Sequence, residues 1–139
     1  MKVKMGKLFK KKDKIVDEDI GFIEDCFEVL KDMTAYEGHS LGSYISTKDK
    51  KNLNDFNWMR EMRTHFLSII SKNCVGQDYC RLKHLARIAM GLQELGSRYL
   101  SMGMVKDAQK CADYHEEVYL KFLELIKFDE NNMEVKSSA

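Results

Sequence analysis

The sequence predicts an all-α protein, an antiparallel bundle of four helices that follows a basic N-terminal arm. Apolar residues recur at intervals of three and four, no segment alternates strictly between apolar and polar residues, and the 139 residues include no proline. Its 44% hydrophobic and 32% charged composition is typical of one soluble globular domain. We therefore expect a single helical-bundle domain over residues 15–128, between a flexible basic arm at 1–14 and a flexible polar tail at 129–139.

The arm differs from the rest of the chain in charge. Residues 1–14 hold seven lysines and one aspartate, interleaved with the apolar residues Val3, Met5, Leu8 and Phe9. The remaining residues carry 16 basic and 21 acidic side chains, so a segment of net charge +6 precedes a body of net charge −5. A solvated tail is the simplest interpretation, and a weak contact with nucleic acid or a membrane surface is the alternative.

Helix 1 is expected to begin near Asp17, where acidic side chains are favourable at a helix N-terminus. Its apolar residues follow the helical period: Ile20, Ile23, Phe27, Leu30 and Met33. The pattern continues through Tyr36, Leu41, Tyr44 and Ile45. Gly38 and Gly42 weaken this second half, so a break near Glu37–Ser43, which would give a fifth helix, stays open.

Three further helices are separated by polar residues and glycines. Their expected bounds run from after residue 54 to near Gly76, from Asp78 to Gly103, and from Val105 to about Phe128. Their apolar positions include Phe56, Met59, Met62, Phe66 and Ile69, then Leu82, Leu85, Ala89, Leu92 and Leu95, then Ala108, Cys111, Val118, Phe122 and Leu125. Short turns between consecutive helices favour an antiparallel bundle.

Three of the four histidines fall on the apolar stripes of helices 2, 3 and 4, namely His65, His84 and His115. A buried titratable ring needs a hydrogen-bond partner, a metal or a reactive role. If helices 2 and 3 run antiparallel from the short turn between them, residues equally far from the turn face each other. This reflection about the turn places His65 and His84 at the same height along the bundle. The same construction separates His115 from His84 by about 10 Å along the bundle.

Packing is the preferred interpretation of His115. Reflection places both His115 and Trp58 level with Gly91, whose missing side chain would leave room for the two rings. His115 would then hydrogen-bond a carboxylate, Glu37 or Glu94. The polar residues expected in the core are His84, His115, Trp58, Glu94 and Glu37.

A metal site is an alternative interpretation of the second helix pair. Cys80 and His84 are four residues apart, so they share a helix face and can chelate. His65 would join them, which makes His65, His84 and Cys80 the most reachable ligand set. The chain has no Glu-x-x-His motif of the di-iron bundles and no Gly-rich phosphate loop. We therefore expect no cofactor and no small-molecule ligand, and keep a metal-binding bundle as the second alternative.

The string Arg60-Glu-Met-Arg-Thr-His65 carries a resemblance to a known family. It resembles the short active-site motif of HEPN-type ribonucleases, which are small helical bundles. The resemblance implies that His65 acts as general acid or base and that Arg60 stabilises charge on the scissile phosphate. An RNA-processing nuclease is therefore the first alternative function.

The segment 92–108 resembles one tetratricopeptide repeat, with Leu92, Leu95, Gly96, Tyr99, Gly103 and Ala108 at the favoured positions. Such hairpins often dock partner helices, so this resemblance favours a binding role. The sequence has four cysteines and no apolar segment typical of a secretory signal, which predicts a reduced cytoplasmic chain. The leading expectation is a non-enzymatic module for protein–protein interaction or assembly, with itself as one possible partner.

Overall fold

The computed structural model describes residues 20–128, which fold into an all-α bundle of four helices. The helices are α1 (Ile20–Thr47), α2 (Lys50–Ile70), α3 (Asp78–Ser101) and α4 (Val105–Leu125). The predicted fold class is therefore confirmed. The basic arm, the expected start at Asp17 and the polar tail lie outside the described residues.

Helix α1 runs unbroken through Gly38 and Gly42, so the five-helix alternative is wrong. Its buried residues keep the helical spacing throughout, but they become polar beyond Leu30: Lys31, Thr34, Glu37 and Ser40. The apolar residues expected to continue the stripe, Tyr36, Leu41 and Ile45, are exposed instead. Tyr36 lies outside the buried face, whereas Leu41 follows the buried Glu37 by four residues on that face and is exposed toward the turn end of α1.

Two tight turns close the helix pairs. Lys48 adopts a positive φ of 62° between α1 and α2, and the Asp49 side chain accepts a hydrogen bond from the Lys51 N–H, which caps α2. Gly103, at φ 75°, closes α3 onto α4, and the Met104 N–H donates to the Tyr99 carbonyl. As a result, α1 packs along α2 and α3 packs along α4, while α1 also crosses α3.

The apolar core lies at the end of the bundle away from these two turns. It draws on residues 20–30, 67–70, 82–89 and 119–126, one segment from each helix. The buried apolar residues outside it are Met59, Ala108 and Cys111. The turn ends of both hairpins therefore bury little and leave large apolar side chains in solvent. No helix within residues 20–128 has the length and apolar character needed to cross a membrane.

Candidate functional site

The two residues of the ribonuclease resemblance are both exposed on α2. Arg60 and His65 are five residues apart, so they point about 140° away from each other around the helix. The His65 ring packs edge-on against its neighbour Phe66, with ring centroids 5.1 Å apart. A single chain therefore does not bring Arg60 and His65 together, and the nuclease interpretation stays a prediction.

The residues of the alternative metal site are also exposed and do not form a cluster. His84 lines a cavity between α3 and α4 with Arg81 and Lys121, and His65 is not among its lining residues. Within residues 20–128 there is no group of three or more histidines, cysteines or acidic residues that could hold a metal ion. The expected level pairing of His65 with His84 fails because α3 packs mainly against α4 and α1 rather than α2.

The packing interpretation built on Gly91 is wrong. Gly91 is exposed, and a Cβ added there would meet no atom within 4 Å. The Trp58 side chain is 52% exposed and meets the Tyr36 ring of α1, with centroids 6.2 Å apart. Glu94 is exposed as well, as is His84, so neither belongs to the core. Of the polar residues expected inside, Glu37 is buried and His115 is half-buried.

Glu37 forms a buried ion pair with Arg63 that joins α1 to α2. The Arg63 Nε donates to Glu37 Oε2 at 2.8 Å, and the side chains are 5% and 8% exposed. Arg63 was not among the polar residues expected in the core, although it falls in the buried register between Met59 and Leu67. A charged residue at an apolar position of a helical stripe was the available signal.

His115 belongs to a second polar cluster, centred on Lys31. The Lys31 side chain is 2% exposed, and its ammonium donates to Gln93 Oε1 at 2.8 Å and to His115 Nε2 at 2.9 Å. Its third partner is Glu28 Oε1, at 2.9 Å. Each of the three ammonium protons therefore has an acceptor, as a buried cation requires. Glu28 belongs to the same helix as Lys31, Gln93 to α3 and His115 to α4, so one side chain ties three helices together.

The chemistry of Lys31 fixes the state of the His115 ring. An ammonium only donates, so Nε2 accepts and the ring proton of the neutral imidazole lies on Nδ1. Burial lowers the pKa of His115 from its ordinary value, the Lys31 charge lowers it further, and Glu28 acts in the opposite direction. His115 is therefore a structural acceptor and is not poised as an acid. The sequence expectation of a carboxylate partner, Glu37 or Glu94, is wrong.

An apolar groove runs between α3 and α4 on one side of His115. Its volume is about 380 Å³, and its lining residues include Leu92, Gly96, Leu100, Ala108, Cys111 and Ala112. Gly96 lets the two helices approach closely, because a Cβ there would lie 3.3 Å from the Cβ of Cys111. Four of its lining residues are small, and Leu100 lines it close to the turn. We call this the α3–α4 groove.

An acidic cleft lies on the other side of His115, between α1 and α4. Its volume is about 340 Å³, and four carboxylates line it: Glu24, Asp25, Glu28 and Glu116. Tyr119 also lines it, 9% exposed, and its hydroxyl has no hydrogen-bond partner among the described residues. Burial and the charges of Glu24 and Glu28 raise the pKa of Tyr119, so this hydroxyl stays protonated. We call this the α1–α4 cleft.

Comparisons of the chain with protein families, with curated proteins and with solved structures find no match. Functional inference therefore depends on the geometry of the described residues. That geometry offers a concave apolar surface and a concave acidic one, and His115 lines both.

Proposed function

We propose that this chain is a non-catalytic assembly module that pairs with a second copy of itself through the α3–α4 hairpin. The observation that carries the proposal is that one surface holds both an apolar groove and the large exposed side chains able to fill it. The sequence resemblance to a helix-docking hairpin covers the same segment. Pairing through this surface would remove both features from water.

The apolar side chains at the turn end of the hairpin are strongly exposed. Leu100 is 58% exposed, Met102 60% and Val105 63%, and Leu95 and Met104 are also exposed. Residues 95–105 contain a single charge, Arg98, in a chain that is 32% charged. Depletion of charge together with enrichment of methionine is typical of the centre of a protein interface. Exposed apolar surface of this kind marks a site of association.

The groove and the exposed side chains are complementary to each other. Small residues such as Gly96, Ala108 and Ala112 line the groove and leave room for a protruding side chain. Leu100 lines that groove, and Val105 begins α4 on the same hairpin. In a two-fold symmetric pair each partner presents the same surface, so the side chains of one copy can enter the groove of the other. This self-complementarity favours a second copy as the partner.

Sedimentation equilibrium over a concentration series tests the proposal. The wild-type chain is expected to show a monomer–dimer equilibrium, and the variant Leu100→Asp/Val105→Asp is expected to shift it toward monomer by at least about tenfold in Kd, because two charges would be buried. The matched control is Ile45→Asp/Val75→Asp, which places the same charges at exposed apolar positions outside the hairpin. A wild-type chain that is monomeric throughout, or a hairpin variant that pairs normally, would overturn the proposal.

We further propose that the module works in the cytoplasm. The four cysteines form no disulfide, and the Cys74 thiol instead donates a hydrogen bond to the Leu125 carbonyl. This supports a reducing environment. The alternative functions receive no comparable support, since Arg60 and His65 diverge on their helix and the residues of the alternative metal site do not cluster.

A further inference from the structure

The α3–α4 hairpin holds a second concavity, at the end away from its turn. Its volume is about 320 Å³, and its lining residues are Arg81, His84 and Leu85 of α3 with Lys121 and Leu125 of α4. Three of these five side chains are basic, and no carboxylate among the described residues lines the concavity. We call this the His84 cavity.

The positive lining of the His84 cavity runs against the charge of the surrounding chain. Residues 15–139 carry 16 basic and 21 acidic side chains, so a concave surface is expected to include carboxylates. The α1–α4 cleft does include them. A concavity lined by charge of one sign raises the local concentration of ions of the opposite sign. The His84 cavity therefore attracts an anion.

The register of the hairpin brings the lining residues to the same height. Gly103 closes α3 onto α4. Arg81 and Leu125 each lie 22 residues from Gly103, and His84 and Lys121 lie 19 and 18 residues from it. Because antiparallel helices face each other at equal distances from their turn, His84 is level with Lys121. Arg81 shares the face of His84, since residues three apart are neighbours on a helix.

The two permanent cations of the cavity have partners that a ligand can replace. Arg81 Nη1 contacts Asp78 Oδ1 at 3.0 Å, and Lys121 Nζ contacts Glu124 Oε1 at 3.0 Å. The Arg81 and Lys121 side chains are 63% and 54% exposed, and exposed pairs of this kind contribute little stability. A guanidinium has five N–H donors and an ammonium has three, so both groups can bind an anion beside these carboxylates.

Phosphate is the anion that matches these three donors. A phosphate monoester carries a charge of about −1.5 to −2 at pH 7 and three acceptor oxygens. The Arg81 guanidinium can bind two such oxygens in parallel, the Lys121 ammonium supplies a compact charge, and the His84 imidazole donates one hydrogen bond. A carboxylate, with one charge and two oxygens, would leave a donor without an acceptor.

The leucines and the size of the cavity indicate a ligand with a carbon group. Leu85 and Leu125 are half-buried and line the cavity opposite each other on the two helices. A volume of about 320 Å³ falls in the range of small-molecule sites, which begins at about 300 Å³, and is twice the roughly 150 Å³ that accommodates a benzene ring. A carbon group against the two leucines would remove apolar surface from water.

We propose that the His84 cavity binds a phosphate monoester, with the phosphate held by Arg81, His84 and Lys121 and the carbon group against Leu85 and Leu125. The sequence predicted no small-molecule ligand, because the chain lacks a Gly-rich phosphate loop. In this cavity the donors come instead from side chains of two helices that only the fold makes neighbours.

The site is separate from the proposed pairing surface. Leu92, the first residue of α3 that lines the α3–α4 groove, follows His84 by eight residues, or about 12 Å along the helix. On α4, His115 of the groove precedes Lys121 by six residues, or about 9 Å. Variants of the His84 cavity are therefore expected to pair normally, and failure of one proposal leaves the other standing.

NMR titration of the ¹⁵N-labelled full chain with phenyl phosphate tests the site. Saturable shifts are expected in the backbone signals of residues 81–85 and 121–125. Inorganic phosphate, which lacks the carbon group, and benzoate, which lacks one charge and one oxygen, should each bind at least about fivefold more weakly. Absence of saturable shifts at these residues would overturn the proposal, and equal affinity for all three compounds would overturn the assignment to a phosphate monoester.

Variants at exposed positions show whether the named side chains hold the phosphate. Arg81→Gln/Lys121→Gln should weaken phenyl phosphate binding by about tenfold or more, because two charge-assisted contacts are lost. The matched control Arg98→Gln/Lys110→Gln removes one exposed cation from each of the same helices outside the cavity and should change the Kd by less than about twofold. An equal loss in both variants would mean that net charge alone binds the ligand, which would overturn the site.

A soluble phosphate monoester and a lipid such as phosphatidic acid present the same chemistry to this cavity. Co-sedimentation with phosphatidylcholine vesicles that contain phosphatidic acid separates the two sources. Co-sedimentation that Arg81→Gln/Lys121→Gln abolishes would assign the ligand to a membrane. Phenyl phosphate binding without co-sedimentation would assign it to a soluble compound. Both results support the cavity as a phosphate site, and absence of both interactions overturns it.

Discussion

Lys31 Nζ lies 2.9 Å from His115 Nε2, so a buried ammonium on α1 donates to a neutral imidazole on α4. The ring also packs against Phe27, with centroids 6.1 Å apart. The folded structure therefore requires a neutral His115, because an imidazolium would place a second cation against Lys31 and would no longer accept its hydrogen bond.

Stability is expected to fall on the acid side of neutrality because of His115. Its folded-state pKa is lowered by burial and by Lys31, so the unfolded chain binds a proton at a higher pH than the folded chain does. The contribution of neutral His115 to the free energy of unfolding is complete above its unfolded-state pKa of about 6.5. It is lost as the pH falls from there toward the folded-state pKa. Urea unfolding at a series of pH values measures it.

The variant His115→Gln isolates this effect, since an amide accepts from Lys31 but does not titrate. Its free energy of unfolding should depend less on pH between 7 and 5 than that of the wild type. His65→Gln serves as the control, because that ring is exposed on α2. An unchanged pH profile in His115→Gln would remove His115 from the explanation.

Lys31→Met should destabilise the bundle by about 2 kcal/mol, because it leaves Gln93 Oε1 and His115 Nε2 without their donor. It should also raise the pKa of His115, which Lys31 holds down. Glu28→Gln is the comparison variant, because it removes the charge of another partner of the same ammonium. Its side chain is 61% exposed, so the stability change should stay within about 0.5 kcal/mol, and the pKa of His115 should move down. NMR titration of the ring measures both shifts, and shifts in the same direction would contradict this account.

The fold was predictable from sequence because a helix is recognised from the spacing of apolar residues a few positions apart. The apolar period, the glycines near the turns and the absence of strand alternation each act over a few residues, and all agree on four helices. Lys31 was not predictable in the same way. Its partners Gln93 and His115 lie 62 and 84 positions away, and only the packing of three helices makes them neighbours.

The two failed expectations that relate helix 2 to helix 3, the Trp58–Gly91 contact and the His65–His84 pairing, share one physical cause. Reflection about the turn between helices 2 and 3 assumes that they lie side by side, whereas α2 packs mainly against α1 and α3 packs mainly against α4. Trp58 therefore meets Tyr36 of α1 and not Gly91 of α3. The buried residues of α1 after Leu30 are polar, although the sequence pattern predicted apolar ones. The spacing of residues within one helix does not show which of its faces will pack against another helix.

The Glu37–Arg63 pair is expected to behave as a buried ion pair. Glu37→Ala or Arg63→Ala should cost about 3–5 kcal/mol, because each leaves a charge without its partner away from water. The double variant Glu37→Ala/Arg63→Ala should cost less than the sum of the two single changes, because neither charge is left without its partner. Arg81→Ala provides the surface control, since Arg81 is 63% exposed in its contact with Asp78 and should contribute within about 0.5 kcal/mol. Denaturant unfolding measures all four, and additive single changes would show that the pair is not coupled.

Two glycines of α3 should respond oppositely to alanine. Gly91 faces open space, so Gly91→Ala should raise the free energy of unfolding by about 0.5–1 kcal/mol through helix propensity alone. At Gly96 the new Cβ would lie 3.3 Å from the Cβ of Cys111, so α3 and α4 would have to separate slightly. The resulting strain should exceed the gain in propensity and give a net loss of about 1 kcal/mol. Urea unfolding of both variants measures the difference, and a destabilised Gly91→Ala would mean that side chains such as Trp58 and His115 occupy that space after all.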